Sequence, residues 1–237
     1  MIRLDTESPK DIYSSMNCVW PDDNRWYNYT HKYIIDFIAN YLAPKLSHES
    51  VFLNAGSGGS EYDLQGICHH IDIAENLINK FERHTVASIE KIPLEDSIFD
   101  AAICVGSVLN YCDAVSSIKE LYRVIKRGGY LILEYERSNT GELWFTSEYG
   151  KNATKQQYDY MGHTHTLWLY SEKVINQILK ECGFSVLIQK RFNCISALVN
   201  RFAHQEEYSG QFARYDMLVK PLSYMMAHNT ILLCKKL

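Results

Sequence analysis

Short apolar runs alternate with amphipathic segments from residue 51 to the end of the chain, and this alternation constrains the fold more than any other feature. Residues 51–53, 67–72, 85–87, 101–105, 130–135, 184–189 and 230–234 read as seven short strands. Helical periodicity fills several of the intervals. Tyr33, Ile34, Phe37, Ile38, Tyr41 and Leu42 form one apolar stripe, which predicts a helix over 29–42 that Pro44 cannot extend. A second helix is expected over 74–81. Asp113 is placed to cap a third, with Lys126 and Arg127 at its C-terminal dipole and Gly128-Gly129 ending it. Ser171 is placed to cap a fourth, stopped by Gly183. Strands alternating with helices imply a mostly parallel sheet covered on both faces. The expected class is therefore α/β, with a doubly wound, mostly parallel seven-stranded sheet. Hydrophobic residues make up 46% of the 237, enough to build its core.

The first strand ends in the turn Asn54-Ala55-Gly56-Ser57-Gly58-Gly59-Ser60. Glycines there let the backbone approach a ligand and turn its N–H groups outward. Such a turn also serves as a plain strand-to-helix connection. Asp72 closes the second strand, where a carboxylate can accept hydrogen bonds from both hydroxyls of a ribose, or cap the helix that follows. A dinucleotide fingerprint is excluded, because its third glycine position is Glu61. The Walker pattern is excluded as well, since no Gly-Lys-Ser/Thr follows.

On these residues the stretch 51–136 resembles the class I S-adenosylmethionine-dependent methyltransferases, in particular the branch related to ubiquinone and small-molecule methyltransferases. Further segments match in order: Ser88 to Asp100 after the third strand, Val105 to Tyr111 after the fourth, and Leu121 to Tyr130, similar to the family's Leu-x-Arg-Val-x-Lys-Pro-Gly-Gly block with Arg127 in place of the proline. The sequence departs from the family at Asn54, usually acidic, at Ser60, usually the third glycine, and at Ser88, often Asp. The short link from Asn54 to Ile67 implies a stunted first crossover. The resemblance implies a Rossmann-like methyltransferase fold with S-adenosyl-L-methionine as cofactor and S-adenosyl-L-homocysteine as product. It implies that Asn54, Ala55, Gly56, Ser57 and Gly58 wrap the methionine and ribose, that Asp72 holds the ribose, that Ile73 and Ile89 pack on the adenine and Ser88 bonds its amino group, and that Val105, Gly106 and Ser107 lie near the transferred methyl. In similar enzymes the N-terminal region folds over the cofactor, which brings in Trp20, Trp26, Tyr27 and Tyr29. On this reading the chain is one domain over 1–237, with a lid and helix over 1–45, a cofactor-binding core over 46–136, and aromatic-rich substrate caps over 137–170 and 191–228.

Methyl transfer from a sulfonium requires alignment and exclusion of water, and a base only where the acceptor must lose a proton. His163 and His165, two residues apart in the aromatic cap, are the candidate bases, His163 foremost; each also has an ordinary structural reading. No metal is expected, since His163-x-His165 lacks a carboxylate or cysteine at matching spacing. The segment after the fourth strand, Gly106-Ser107-Val108-Leu109, is not the Asn/Asp-Pro-Pro-aromatic run of enzymes that methylate DNA-base amino groups. The expected substrate is a small organic acceptor methylated on oxygen or nitrogen. Two other readings stay open: a methyltransferase acting on a protein or tRNA, and a non-catalytic regulatory protein that binds S-adenosylmethionine. A net charge of −4 argues against broad nucleic-acid binding. Seven cysteines with no Cys-x-x-Cys pair suit free thiols in a reducing cytoplasm. The polar opening stretch lacks a signal peptide's apolar region, and no run approaches the roughly 18 residues of a membrane span. A homodimer is left open.

Overall fold

The computed structural model describes residues 8–160 and 162–237; the first seven residues of the expected lid, with most of the polar opening stretch, lie outside them. Among the described residues nine strands form: β1 (Val51–Ala55), β2 (Ile67–Asp72), β3 (His84–Val86), β4 (Phe99–Cys104), β5 (Ile125–Glu136), β6 (Ala153–Tyr160), β7 (His163–Tyr170), β8 (Phe184–Phe192) and β9 (Asn229–Lys236). Seven make one sheet in the order β3-β2-β1-β4-β5-β9-β8, and β6 and β7 form a separate antiparallel hairpin. β1 to β5 run parallel, while β9 is antiparallel to both β5 and β8. This is the doubly wound, mostly parallel sheet that the alternation implies.

Helices α1 (Pro9–Ser15), α2 (Arg25–Tyr41), α3 (Glu75–Ile78), α4 (Ala114–Val124) and α5 (Glu172–Cys182) accompany the sheet. Successive strand residues face opposite sides. Phe52, Ala101, Ile103, Ile132 and Leu233 pack under α2 through Ile34, Phe37 and Ile38. Leu53, Ala102, Cys104, Leu131 and Leu133 pack under α4 and α5 through Ile118, Leu121, Ile175 and Leu179. Asp113 caps α4 by accepting from Ser116 N at 2.8 Å, Ser171 caps α5 by accepting from Val174 N, and Gly183 ends α5 at φ +100. Between β8 and β9 the chain forms α6 (Cys194–Ala203), α7 (Glu206–Gly210) and α8 (Ser223–Met226). Among the described residues no helix is long and apolar enough to cross a membrane.

Three local expectations are corrected, and one unexpected helix appears. α4 stops at Val124, and Ile125 already pairs with Phe99, so Lys126, Arg127, Gly128 and Gly129 lie in β5. Lys126 spends its charge on Asp100 at 2.7 Å instead of on the helix dipole. The helix expected over 74–81 is a single turn, α3. The long helix begins at Arg25 rather than Tyr29, because the Asn24 side chain accepts from Trp26 N and Tyr27 N. The first 25 residues, which show no apolar period, contain α1, capped by Ser8 with Pro9 at its first position.

Candidate active site

The strand order reverses between β1 and β4, since the chain moves outward from β1 to β3 and then returns to place β4 on the other side of β1. In open α/β sheets such a switch point opens a crevice at the carboxyl ends of the strands. A cavity of about 390 Å³ lies there. Its floor is the glycine turn. Gly56 N and Ser57 N donate to the Ile71 carbonyl at 2.7 and 3.0 Å, which bends the chain toward β2. Gly56 (φ +70) and Gly58 (φ +53) take left-handed conformations, and a Cβ on Gly58 would meet the Val19 side chain at 2.7 Å. Gly58 N donates to Asp72 Oδ2 at 2.8 Å, and Ala74 N donates to Oδ1 at 2.9 Å. The turn and the carboxylate are thus one hydrogen-bonded unit, while α3, which starts at Glu75, has no side-chain cap. Burial raises the pKa of Asp72, with the backbone N–H groups of Ala74 and Gly58 opposing.

Gly56, Ser57, Gly58, Asp72, Ile73, Ser88, Ile89, Val105, Gly106 and Ser107 all line this cavity. Four expected residues do not. Asn54 is buried below the turn, where its amide donates to the Ser60 carbonyl at 2.9 Å. Ala55 is fully buried in the core between the sheet and α4. Tyr29 points from α2 toward Tyr33 and the sheet; Trp26, Tyr27 and Thr30 face the cavity instead, as the helical period requires. His163 sits at the outer end of the β6–β7 hairpin, opposite Tyr160, and is not in the wall. His165, two residues deeper on the same face, is in the wall, with Nδ1 2.8 Å from the Tyr111 hydroxyl.

Residues 53–133 match the family model described as a methyltransferase domain. The stretch from β1 to β5 is thus similar to S-adenosylmethionine-dependent methyltransferase domains. It is 28% identical over 130 residues to the ubiquinone/menaquinone biosynthesis C-methyltransferase of Rickettsia bellii, a match covering 49% of this chain and 52% of that protein. The chain spans about half the length of the curated relatives it matches. Two solved structures share its fold. A protein of Pyrococcus horikoshii superposes with a TM-score of 0.60 at 13% identity, covering 95% of this chain and 99% of that one. The 1,6-didemethyltoxoflavin-N1-methyltransferase of Burkholderia thailandensis, solved with its namesake ligand and S-adenosylhomocysteine, gives 0.57 at 11% identity, covering 95% and 84%.

The residues of this cavity fit S-adenosylmethionine. The glycine turn keeps side chains off the cavity floor, and a carboxylate retains lone pairs beyond the two that Gly58 and Ala74 engage. Ile73 and Ile89 offer apolar walls beside it.

The same cavity continues past Ser107 into a chamber that sequence reasoning missed. Glu136 ends β5, His228 lies just ahead of β9, and Asn229 begins it. An antiparallel strand starts where its parallel neighbour ends, so these residues meet at the crevice. Glu206 enters from α7, Tyr27 from α2, and Tyr158 from the hairpin. Ser107 Oγ donates to Glu136 at 2.7 Å. His228 lies 3.3 Å from Glu136 on one side and 3.3 Å from Glu142 on the other. Burial opposes charging of this imidazole, but Glu142 and Glu136 together overcome it and hold its pKa well above the usual range. Burial likewise disfavours the Glu142 carboxylate, yet the His228 charge and hydrogen bonds from His228, Asn200 and Tyr158 draw its pKa down. Beneath the chamber, fully buried Glu134 accepts from Gly106 N at 2.9 Å and Ser107 N at 2.8 Å, and burial pushes its pKa up to about 7. This anchoring holds Ser107 in a left-handed conformation, φ +60. Glutamates at alternate positions at the end of the apolar half of β5, 130–136, and His-Asn at the start of a strand were the available signals in the sequence.

Proposed function

We propose that the chain transfers a methyl group from S-adenosylmethionine to an oxygen or nitrogen of a small organic acceptor. One observation carries this reading: a single cavity joins the glycine turn and Asp72 to a chamber walled by Glu136, Glu206, His228 and aromatic side chains. Its volume is that of a small-ligand pocket, where apolar walls and a few polar groups fix orientation. In this assignment Gly56, Ser57 and Gly58 hold the methionine and ribose, Asp72 accepts from the ribose hydroxyls, and Ile73 and Ile89 enclose the adenine beside Ser88. Asn54 acts from below by holding the turn. When bound, the sulfonium supplies the activated methyl group. The chain's own residues orient the acceptor and exclude water: Trp20, Trp26 and Tyr27 from the N-terminal side, Tyr158, His165 and Leu167 from the hairpin. His228, held protonated between two glutamates, serves as a fixed donor rather than a base.

The walls of this chamber come from five separate segments, α2, the end of β5, the β6–β7 hairpin, α7 and the start of β9, which favours a small acceptor over a protein or tRNA surface. Carbon methylation is named for the rickettsial relatives, but a chamber of ionisable side chains suits a heteroatom acceptor better. Calorimetric titration with S-adenosylmethionine and S-adenosylhomocysteine tests the proposal. Both should bind, and Asp72→Ala should weaken binding by about 1–3 kcal/mol, as for a lost charge-assisted hydrogen bond. No binding even at millimolar ligand would refute it, and an unchanged affinity in the variant would refute the ribose assignment.

A further inference from the structure

The charges in the chamber do not balance. His228 is the cation of a triad with Glu136 and Glu142, and two carboxylates outnumber it. Glu206 adds a third carboxylate to the same space. Its Oε2 accepts from the Tyr27 hydroxyl at 2.6 Å, and among the described residues no ion pair reaches it. Lys10, the cation that the cavity wall does contain, is exposed on α1 beside Ser8 and Pro9. Across the chamber Glu206 faces Tyr27 from α2, Glu142 from the turn after β5, Glu136 from β5 and His228 ahead of β9; Arg25, Arg201, His204 and Glu207 line the neighbouring pocket that it also borders. Burial, reinforced by Glu142 and Glu136, lifts its pKa to about 7 against the pull of the Tyr27 hydrogen bond and the His228 charge. A carboxylate held at that cost in a cavity lined by Trp26, Tyr27 and Tyr158 calls for a cationic, partly apolar ligand.

Building on the methyltransferase reading above, we infer that the acceptor is an amine, cationic in solution, whose nitrogen seats against the Glu206 carboxylate. The aromatic rings add cation–π attraction to the ammonium and apolar contact to its carbon frame. An ammonium has no lone pair, so it must lose one proton before nitrogen can react. That proton passes to Glu206: the N–H bond breaks, nitrogen keeps the electron pair, and the carboxylate becomes a neutral acid that returns the proton to solvent. A group poised near neutral pH suits both directions of this exchange.

The test uses two isosteric pairs, phenethylamine against phenethyl alcohol and hexylamine against hexanol. Each is titrated into protein saturated with S-adenosylhomocysteine near neutral pH. The amine of at least one pair should bind about tenfold more tightly than its alcohol, the worth of one charge-assisted hydrogen bond. Glu206→Gln should abolish that preference while S-adenosylhomocysteine affinity and the far-ultraviolet circular dichroism stay as in the parent. Tyr27→Phe, which removes the hydrogen bond but not the charge, should retain the preference. The inference is overturned if alcohols match amines in both pairs, if neither amine binds, or if the preference survives Glu206→Gln. Failure of S-adenosylhomocysteine itself to bind would bring down the methyltransferase reading along with it; normal cofactor binding without amine preference would bring down this inference alone.

Discussion

At the scale of single residues, the site depends on charges that burial would normally forbid. His228 is 4% exposed, yet it is held as a cation because two glutamates flank it at 3.3 Å. Removing one partner of such a buried cluster leaves the others uncompensated, which typically costs about 3–5 kcal/mol. His228→Gln should therefore lower stability by about that amount at neutral pH, measured by urea denaturation. The pH dependence follows from the directions of the two shifts. His228 has a folded pKa above its unfolded one, so its contribution is fully present below about pH 6.5 and is lost as pH rises through the elevated folded value. Glu142 has a lowered pKa, so its contribution is present above about pH 4.5 and fades in acid. The gap between parent and variant should be widest between these limits and narrow toward alkaline pH; a gap that widens there would contradict the charged-triad assignment.

At the scale of elements, short capping interactions decide where the loops of the site start. Asp113 ends the loop that follows β4 and fixes the first turn of α4 through Ser116 N. The backbone hydrogen bond from Ser116 lowers its pKa, so the ionised form is the one that caps. Asp113→Ala should cost about 1 kcal/mol at neutral pH, and progressively less as pH falls below about 4 and through the lowered folded value, where the parent's own cap takes up its proton. Thermal melts at the two pH values read this directly. The order of elements, the seven sheet strands and the caps at Asp113, Ser171 and Gly183 were legible in the sequence, because each depends on a pattern within a few neighbouring residues. The ends of α4 and α3 were not. The pairing of Ile125 with Phe99 draws the chain into β5 before the helical pattern has run out, and α3 stops after one turn at Ile78, where Asn79 is its C-cap.

At the scale of the whole molecule, the N-terminal segment closes over the sheet. Val19 lies against the glycine turn, Trp20 Nε1 donates to Ser60 at 3.2 Å, and Asn76 reaches back to the Met16 carbonyl at 2.9 Å. A ligand held between this segment and the sheet binds the folded state alone, and at about 100 times its dissociation constant adds about 2.7 kcal/mol of stability. S-adenosylhomocysteine should therefore raise Tm in a concentration-dependent way and slow proteolysis within residues 16–26. Cleavage there at an unchanged rate would show that the segment does not close on the ligand.

The sequence by itself determined the doubly wound sheet, the glycine turn and the carboxylate that faces it, because strand and helix periods and a turn's need for glycine are local demands. Only the tertiary structure decided what the cavity presents to an acceptor. Glu136, Glu206 and His228 come from three distant parts of the chain and meet because β9 runs antiparallel to β5 and α7 folds back against α2. It decided, too, that His165 rather than His163 reaches the wall, and that Asn54 supports the turn from beneath. Which side chains share a space, and so which charges must be balanced, depends on contacts across the fold that no window of sequence contains.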